Sequence, residues 1–344
     1  MLKEITVDLG KYFPVGHRLK MGKWKWELPF PLQSDPDKLR ISFLGCGSAF
    51  SNNQFQSNLI VTKGKTSVFV DLGTKATFRM REFGLSVNDI KHIIVTHSHA
   101  DHIGSLEECG LKARYEAPVK KAMEGYTPGT PAFLERINEI KAGKEMLPYL
   151  HVPYEYAKAL WEKSLVGGMG YSESMTNGGP TQPMGIDHFF RLTPPHKIFN
   201  EKYGRDVWEC TIGERESAIH FLLYRTKHIP DMTRTLEENF FSCGLIVDGR
   251  VMISGDTQFD PEVFMRIGDK CETIFHDCQS FSGGVHAYYG DLRGLPDEIK
   301  KKIYLYHCDD GMRPVDDDGM LGGDRRVLDD GFAGFAMPMP CVYE

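Results

Sequence analysis

At 344 residues the chain can bury a full core, and its 41% hydrophobic and 26% charged residues are those of an ordinary globular protein. A formal net charge of −6 excludes a global attraction to nucleic acid, although it is compatible with a local basic groove. No stretch approaches the length of a membrane-spanning helix, and MLKEITVDLGKYFPVG lacks the charged start and apolar run of a signal peptide. The eight cysteines are scattered without CxxC pairs, which fits reduced thiols and a cytoplasmic location.

Residues 1–39 show no clear period and read as an N-terminal arm packed on a single domain spanning 40–344. LRISFLG (39–45) and SNLIVTKGKTSVFVDLG (57–73) are short β-rich runs separated by turn residues. KATFRMREFGL (75–85) predicts a helix ended near Gly84, and KHIIVTH (91–97) a buried strand. From about 105 to 205 the strand signals fade. This stretch reads as an insertion or lid, with helices predicted over 130–143 and 154–164 and a flexible-looking run near 165–186. Its Tyr149, Tyr154, Tyr156 and Trp161 read as packing residues, with stacking on a base as the alternative. Four late runs, AIHFLLYRTKHI, FSCGLIVDGRVMISGD, CETIFHDCQ and KKIYLYHCD, each predict a buried strand ending in polar residues. Strands that follow one another and then alternate with helices imply a layered α/β architecture.

The chemistry concentrates in Thr96-His97-Ser98-His99-Ala100-Asp101-His102, directly after a predicted strand. Neutral imidazoles and carboxylates are the ligands of zinc and related divalent ions. A spacing of two puts His97 and His99 on one side of an extended segment. The turn into a helix then presents Asp101 and His102 to a second ion. Two ions need more ligands, and His228, Asp256 and His307 stand at the ends of later predicted strands. Asp256 is the candidate bridge, because a carboxylate has two oxygens and offsets the charge of both cations.

THSHADH, the later His228, Gly255-Asp256-Thr257 and His307 resemble the ordered motifs of the metallo-β-lactamase superfamily, as do FLGCGSAF and VDLGT with Asp71. The resemblance implies an αββα sandwich of two facing sheets. It also implies one ion on His97, His99 and His228, another on Asp101, His102 and His307, Asp256 between them, and Asp71 supporting the ligand loop. Relatives are often dimers, so the resemblance carries the expectation of a homodimer.

FHDCQSF followed by GGVHAYY resembles the ribonuclease Z group and its relatives, which include cyclic-nucleotide phosphodiesterases and the phage anti-Pycsar phosphodiesterases. That resemblance implies phosphodiester hydrolysis of a nucleotide or an RNA 3′ end by a two-metal hydroxide mechanism, with Zn2+ or Mn2+ as the cofactor. His286 is then the candidate general acid, Asp277 its orienting carboxylate, and Asp101 is counted with them as catalytic. His276 is more readily a core residue. The chain departs from ribonuclease Z at Ser98 and Ala100, in SNNQFQSN and at Asp277, and residues 165–186 contain no Lys or Arg. Binding of a long RNA normally releases counterions through such cations, so a cyclic nucleotide is favoured over transfer RNA. A lactone, thioester or β-lactam is the alternative substrate class on the same metals, and a scaffold without turnover is a further one. Asp309 and Asp310 lie just past His307, where carboxylates facing the site would repel a phosphate.

Overall fold

A computed structural model describes residues 29–172, 182–229, 240–312, 327, 329–339 and 342–344. Most of the predicted N-terminal arm, the centre of the flexible-looking run and the acidic tail at 313–326 lie outside these residues. Two sheets face each other. The first holds β1 (Leu39–Gly45), β2 (Asn58–Lys63), β3 (Thr66–Val70), β4 (His92–Ile94), β5 (Tyr149–His151) and, beyond the small hairpin β6 (Tyr171–Ser172) and β7 (Gln182–Pro183), β8 (Arg191–Leu192). The second runs in reverse order from β16 (Gly334–Phe335), β15 (Ile303–Tyr306), β14 (Thr273–Asp277) and β13 (Val251–Ile253) to β12 (Cys243–Val247), β11 (Ile219–Arg225), β10 (Val207–Ile212) and β9 (His196–Ile198).

The two sheets repeat one plan: antiparallel ribbons, β1–β3 and β9–β13, continue into parallel strands, β3–β5–β8 and β13–β16. Alternating side chains build the sandwich, since successive residues of a strand face opposite sides. Ile41, Phe43, Val68, Val70 and Ile94 point into the space between the sheets, where they meet Phe221, Leu223, Leu245 and Phe275. Phe69, Ile93 and Val95 point the other way, into the helices covering the first sheet. Leu222, Tyr224, Ile246 and Ile274 do the same on the second. With both faces covered, the strands read as near-continuous apolar runs. Phe43 and Phe275 join the sheets edge to face, with ring centroids 4.9 Å apart. The layers are helix, sheet, sheet, helix, which is the αββα sandwich.

The predicted helices form over Ala76–Glu82, Pro131–Gly143 and Tyr154–Leu160, the last continuing through a π-helical turn to Met169. Thr130 caps the second through a hydrogen bond from Phe133 N, and Pro131 fills its first turn, where no N–H is needed. Within 105–205, β5 and β8 extend the first sheet beyond β4, so this stretch contributes a sheet edge as well as helices. Too short for a period, these strands carry no sequence signal. The functional groups lie at one end of the sandwich, beyond the carboxyl ends of β3, β4, β11, β13, β14 and β15, where open α/β sheets bind ligands.

Candidate metal centre

His97 and His99 continue the line of β4, and His99 then starts the helix Ala100–Ile103, which turns Asp101 and His102 inward. His228 follows β11, Asp256 follows β13 and His307 follows β15. Asp71 and His307 both take left-handed backbone, with φ of 64° and 56°. For residues with a side chain that conformation is sparsely populated and is held by its surroundings, as happens at functional sites.

Two four-residue groups result, His97–His99–His228–Asp256 and Asp101–His102–His307–Asp256, with Asp256 in both. In the first, His99 Nδ1 lies 3.0 Å from His97 Nε2 and 3.1 Å from His228 Nε2. In the second, Asp101 Oδ2 lies 3.2 Å from His102 Nε2 and 3.1 Å from His307 Nε2. Asp256 Oδ2 is 3.6 Å from His97 Nε2, 3.3 Å from His102 Nε2, 3.5 Å from His307 Nε2 and 3.9 Å from His228 Nε2. Ligands bonded tetrahedrally at ordinary zinc distances stand about 3.3 Å from one another. The spacing therefore fits divalent cations. So do His102 Nε2 and Asp256 Oδ1, which are buried without a hydrogen bond although such atoms normally have a partner.

The surroundings favour most of the protonation states a cation requires; His102 is the exception, because burial works against its charge but Asp256, Asp71 and Asp101 outweigh that effect and raise its pKa. Burial lowers the pKa of His97 and brings His228 down to about 4, keeping both rings neutral. Burial opposes ionisation of Asp101 and Asp256, but the surrounding imidazoles outweigh it and hold both carboxyls below the usual range. Orienting partners choose the ring nitrogen that faces inward. His102 Nδ1 donates to Asp71 at 2.7 Å, and the same carboxylate accepts from Thr96 N and Thr96 Oγ1 at 2.7 Å each. His228 Nδ1 donates to the carbonyl of Val285 at 3.1 Å. Asn58 donates to the Asp101 carbonyl at 2.9 Å and accepts from Gly73 N. Gly73 packs so close to that carbonyl that a Cβ would collide with it.

Beside Asp256, His286 Nδ1 donates to Asp277 at 2.9 Å, and Asp277 also accepts from Thr257 N at 3.1 Å. The His286 ring stands 4.6 Å from that of His307 and 5.3 Å from that of His228. Burial works against its charge, yet Asp256 and Asp277 outweigh that effect and hold its pKa at about 9. His276 faces away, stacked on Phe264 with Nδ1 donating to the Asp277 carbonyl at 2.8 Å.

The structure thus brings together the nine residues that the sequence reading placed in the site: His97, His99, Asp101, His102, His228, Asp256, His307, Asp277 and His286. Sequence reasoning missed Asn58 and the pair Phe240–Phe241. Phe240 stacks on His99 at 4.9 Å. Phe241 stacks on Tyr156 at 4.4 Å, and the Tyr156 hydroxyl shares a 2.8 Å hydrogen bond with Ser98, between His97 and His99. Tyr156 is therefore a packing residue that steadies the ligand loop. Tyr156→Phe is expected to cost about 1 kcal/mol of unfolding free energy, the worth of one hydrogen bond, measured by denaturant titration. An unchanged stability would show the bond to be idle.

Among solved structures the chain is similar to the metallo-β-lactamase fold protein YhfI from Bacillus subtilis, at 12% identity and a TM-score of 0.54, over 90% of this chain and all of that one. It is also similar to human tRNase Z, short form, at 12% identity and a TM-score of 0.51, over 89% of this chain and 98% of that one. Both likenesses show the metallo-β-lactamase fold. Among sequences it is 26% identical to the Anti-Pycsar protein Apyc1 of Paenibacillus sp. (strain J14), over 80% of this chain and 91% of that protein. The protein of the same name from Bacillus phage BSP38 is 28% identical, over 79% of this chain and 90% of its own length. The family model described as Anti-Pycsar protein Apyc1 matches residues 39–127 and 136–328, which include both ligand groups and the His286–Asp277 pair. The chain belongs to the Anti-Pycsar protein Apyc1 family.

Proposed function

We propose that this protein, a metal-dependent phosphodiesterase, hydrolyses a 3′,5′-cyclic mononucleotide with two divalent ions, Zn2+ first and Mn2+ second in order of expectation. His97, His99 and His228 with Asp256 would hold one ion. Asp101, His102 and His307 with Asp256 would hold the other. The observation that carries the reading is the placement of His286, held through Nδ1 by Asp277 beside a carboxylate common to both ligand groups. Divalent ions in such sites lower the pKa of bound water towards neutrality and offset the charge of phosphate oxygens.

The remaining tasks fall to this chain's own groups. Water adds to phosphorus, one ester P–O bond breaks, and the departing ribose oxygen needs a proton. His286 Nε2 faces away from Asp277 and donates that proton, while Asp277 keeps Nδ1 protonated and stabilises the ring through the transfer. Charge supports a small substrate. The loops over 47–57 and 279–286 and the turn at 307–311 contain no Lys or Arg, so they offer a polyanion nothing for counterion release. A cytoplasmic setting is supported by the free state of all seven described cysteines. Among the described residues no helix is long and apolar enough to cross a membrane.

The test compares 3′,5′-cyclic mononucleotides with a precursor tRNA on one metal-loaded preparation and on the same protein after chelation. Turnover of cyclic nucleotides, lost on chelation and restored by metal, is the expected result. Cleavage of the tRNA alone would overturn the small-substrate reading. Silence on both would move the substrate to lactones or thioesters.

A further inference from the structure

Phe50 is 91% exposed and Phe281 59% exposed, although neither stands on a loose loop tip. The loop carrying Phe50 is fastened at both sides of the residue. Ser48 N donates to the Cys308 carbonyl at 3.1 Å, Ser51 Oγ to Asp310 at 2.5 Å and Asn52 N to Asp310 at 2.9 Å. Lys75 Nζ adds a bond to the Ser51 carbonyl at 2.8 Å. The loop carrying Phe281, which also carries His286, is fastened in the same way. Ser280 N donates to Asp309 at 3.0 Å, and the Gln279 side chain donates to the Phe281 carbonyl at 2.7 Å. Both loops therefore hang from consecutive carboxylates, Asp309 and Asp310, in the turn that follows the ligand His307.

A single exposed phenyl group is ordinary on a protein surface. Two of them, held outward by loops tied to one turn at the edge of the site, form an arrangement with a chemical use. The ligand groups consist of imidazoles and carboxylates, which suit cations and, through them, a phosphate. They offer nothing to the flat, apolar face of a nucleobase. Aromatic side chains do, and they do so for any base, because every base has a π-face. Of the aromatic residues in the 105–205 stretch, Tyr156 is buried and Trp161 and Tyr149 stack on Phe189 and His92, whereas Tyr154, Tyr171 and Phe199 are exposed but belong to neither of these two fastened loops.

We propose that Phe50 and Phe281 flank the base of the bound nucleotide and supply its affinity by stacking. This rests on the cyclic-nucleotide reading above. The test measures kcat/KM of the metal-loaded full chain, Phe50→Ala and Phe281→Ala on two substrates. One is a 3′,5′-cyclic mononucleotide. The other is the same ribose 3′,5′-cyclic phosphate with a methoxy group in place of the base. Each substitution is expected to lower the ratio of the two by about tenfold, within the range that one base–aromatic stack is worth, chiefly through KM. A ratio unchanged in both variants, with the cyclic nucleotide still turned over, would overturn this inference alone. Loss of a dimer in the variants with an unchanged ratio would overturn it too, assigning the phenyl groups to a contact between copies. Failure of the unsubstituted protein on both substrates would overturn the functional reading instead.

Discussion

Asp256→Asn protein, loaded with metal and passed through a desalting column, is expected to retain far less metal than the unsubstituted chain. The side chain keeps its shape and loses its charge. One oxygen of Asp256 stands within 3.9 Å of four imidazole nitrogens drawn from both ligand groups. An amide oxygen offsets no cationic charge, and both groups lose their common anion together. Removing a residue that merely supports a ligand costs about 10–100-fold in affinity, so removal of a shared ligand should cost more than about 100-fold. Elemental analysis of the eluted protein and a competition titration with a chelator give the number. Full retention of two ions per chain would show that Asp256 is not the common ligand.

His286→Ala should separate chemistry from metal binding. His286 belongs to neither four-residue group, and in the third, smaller group that it forms with Asp256 and Asp277 its Nδ1 is engaged by Asp277, so metal content should be unchanged. Turnover of a cyclic nucleotide should fall by about 10²–10⁴-fold, the range contributed by a positioned general acid. The loss should shrink for a p-nitrophenyl ester, whose departing phenolate does not need a proton. This dependence on the leaving group is the discriminating readout. An equal loss on both esters would mean that His286 acts on binding, and an absence of loss would remove it from the reaction. Asp277 is linked to the same outcome, because it fixes His286 through Nδ1 while its own backbone stays in β14.

Most of the candidate centre was legible because the residues it gathers are either adjacent in sequence or stand where an apolar run stops. His97, His99, Asp101 and His102 announce themselves by spacing. His228, Asp256 and His307 do so by ending strands, while the element order implied only layered α/β architecture and the two-sheet sandwich came from the resemblance of these motifs to the metallo-β-lactamase superfamily. Asn58, Tyr156 and Phe240 were not legible in their roles. Each contributes through a partner brought close only by the fold: the Asp101 carbonyl, the Ser98 hydroxyl and the His99 ring. Asp309 and Asp310 illustrate the same limit. In sequence they read as carboxylates able to repel a phosphate. In the structure they accept hydrogen bonds from Ser280 N, Gly311 N and Met312 N and from Ser51 Oγ and Asn52 N, and so are committed to holding loops.

The two halves of the sandwich contribute different ligands. His99 and His228, 129 residues apart, converge on one point, and Asp101 and His307, 206 residues apart, on another. An ion at either point ties distant parts of one chain together and closes a long loop, as a disulfide would, but reversibly. Joining such distant segments is most costly to an unfolded chain and almost free to a folded one. Metal at a thousand times its dissociation constant would add about 4 kcal/mol to folding, comparable to a well-placed cross-link. In a chain with no disulfide among its described cysteines, catalytic competence and mechanical integrity would thus draw on the same atoms if these residues hold the metal as proposed. A cell that withdraws the metal would loosen the seam between the two sheets as well as silence the enzyme.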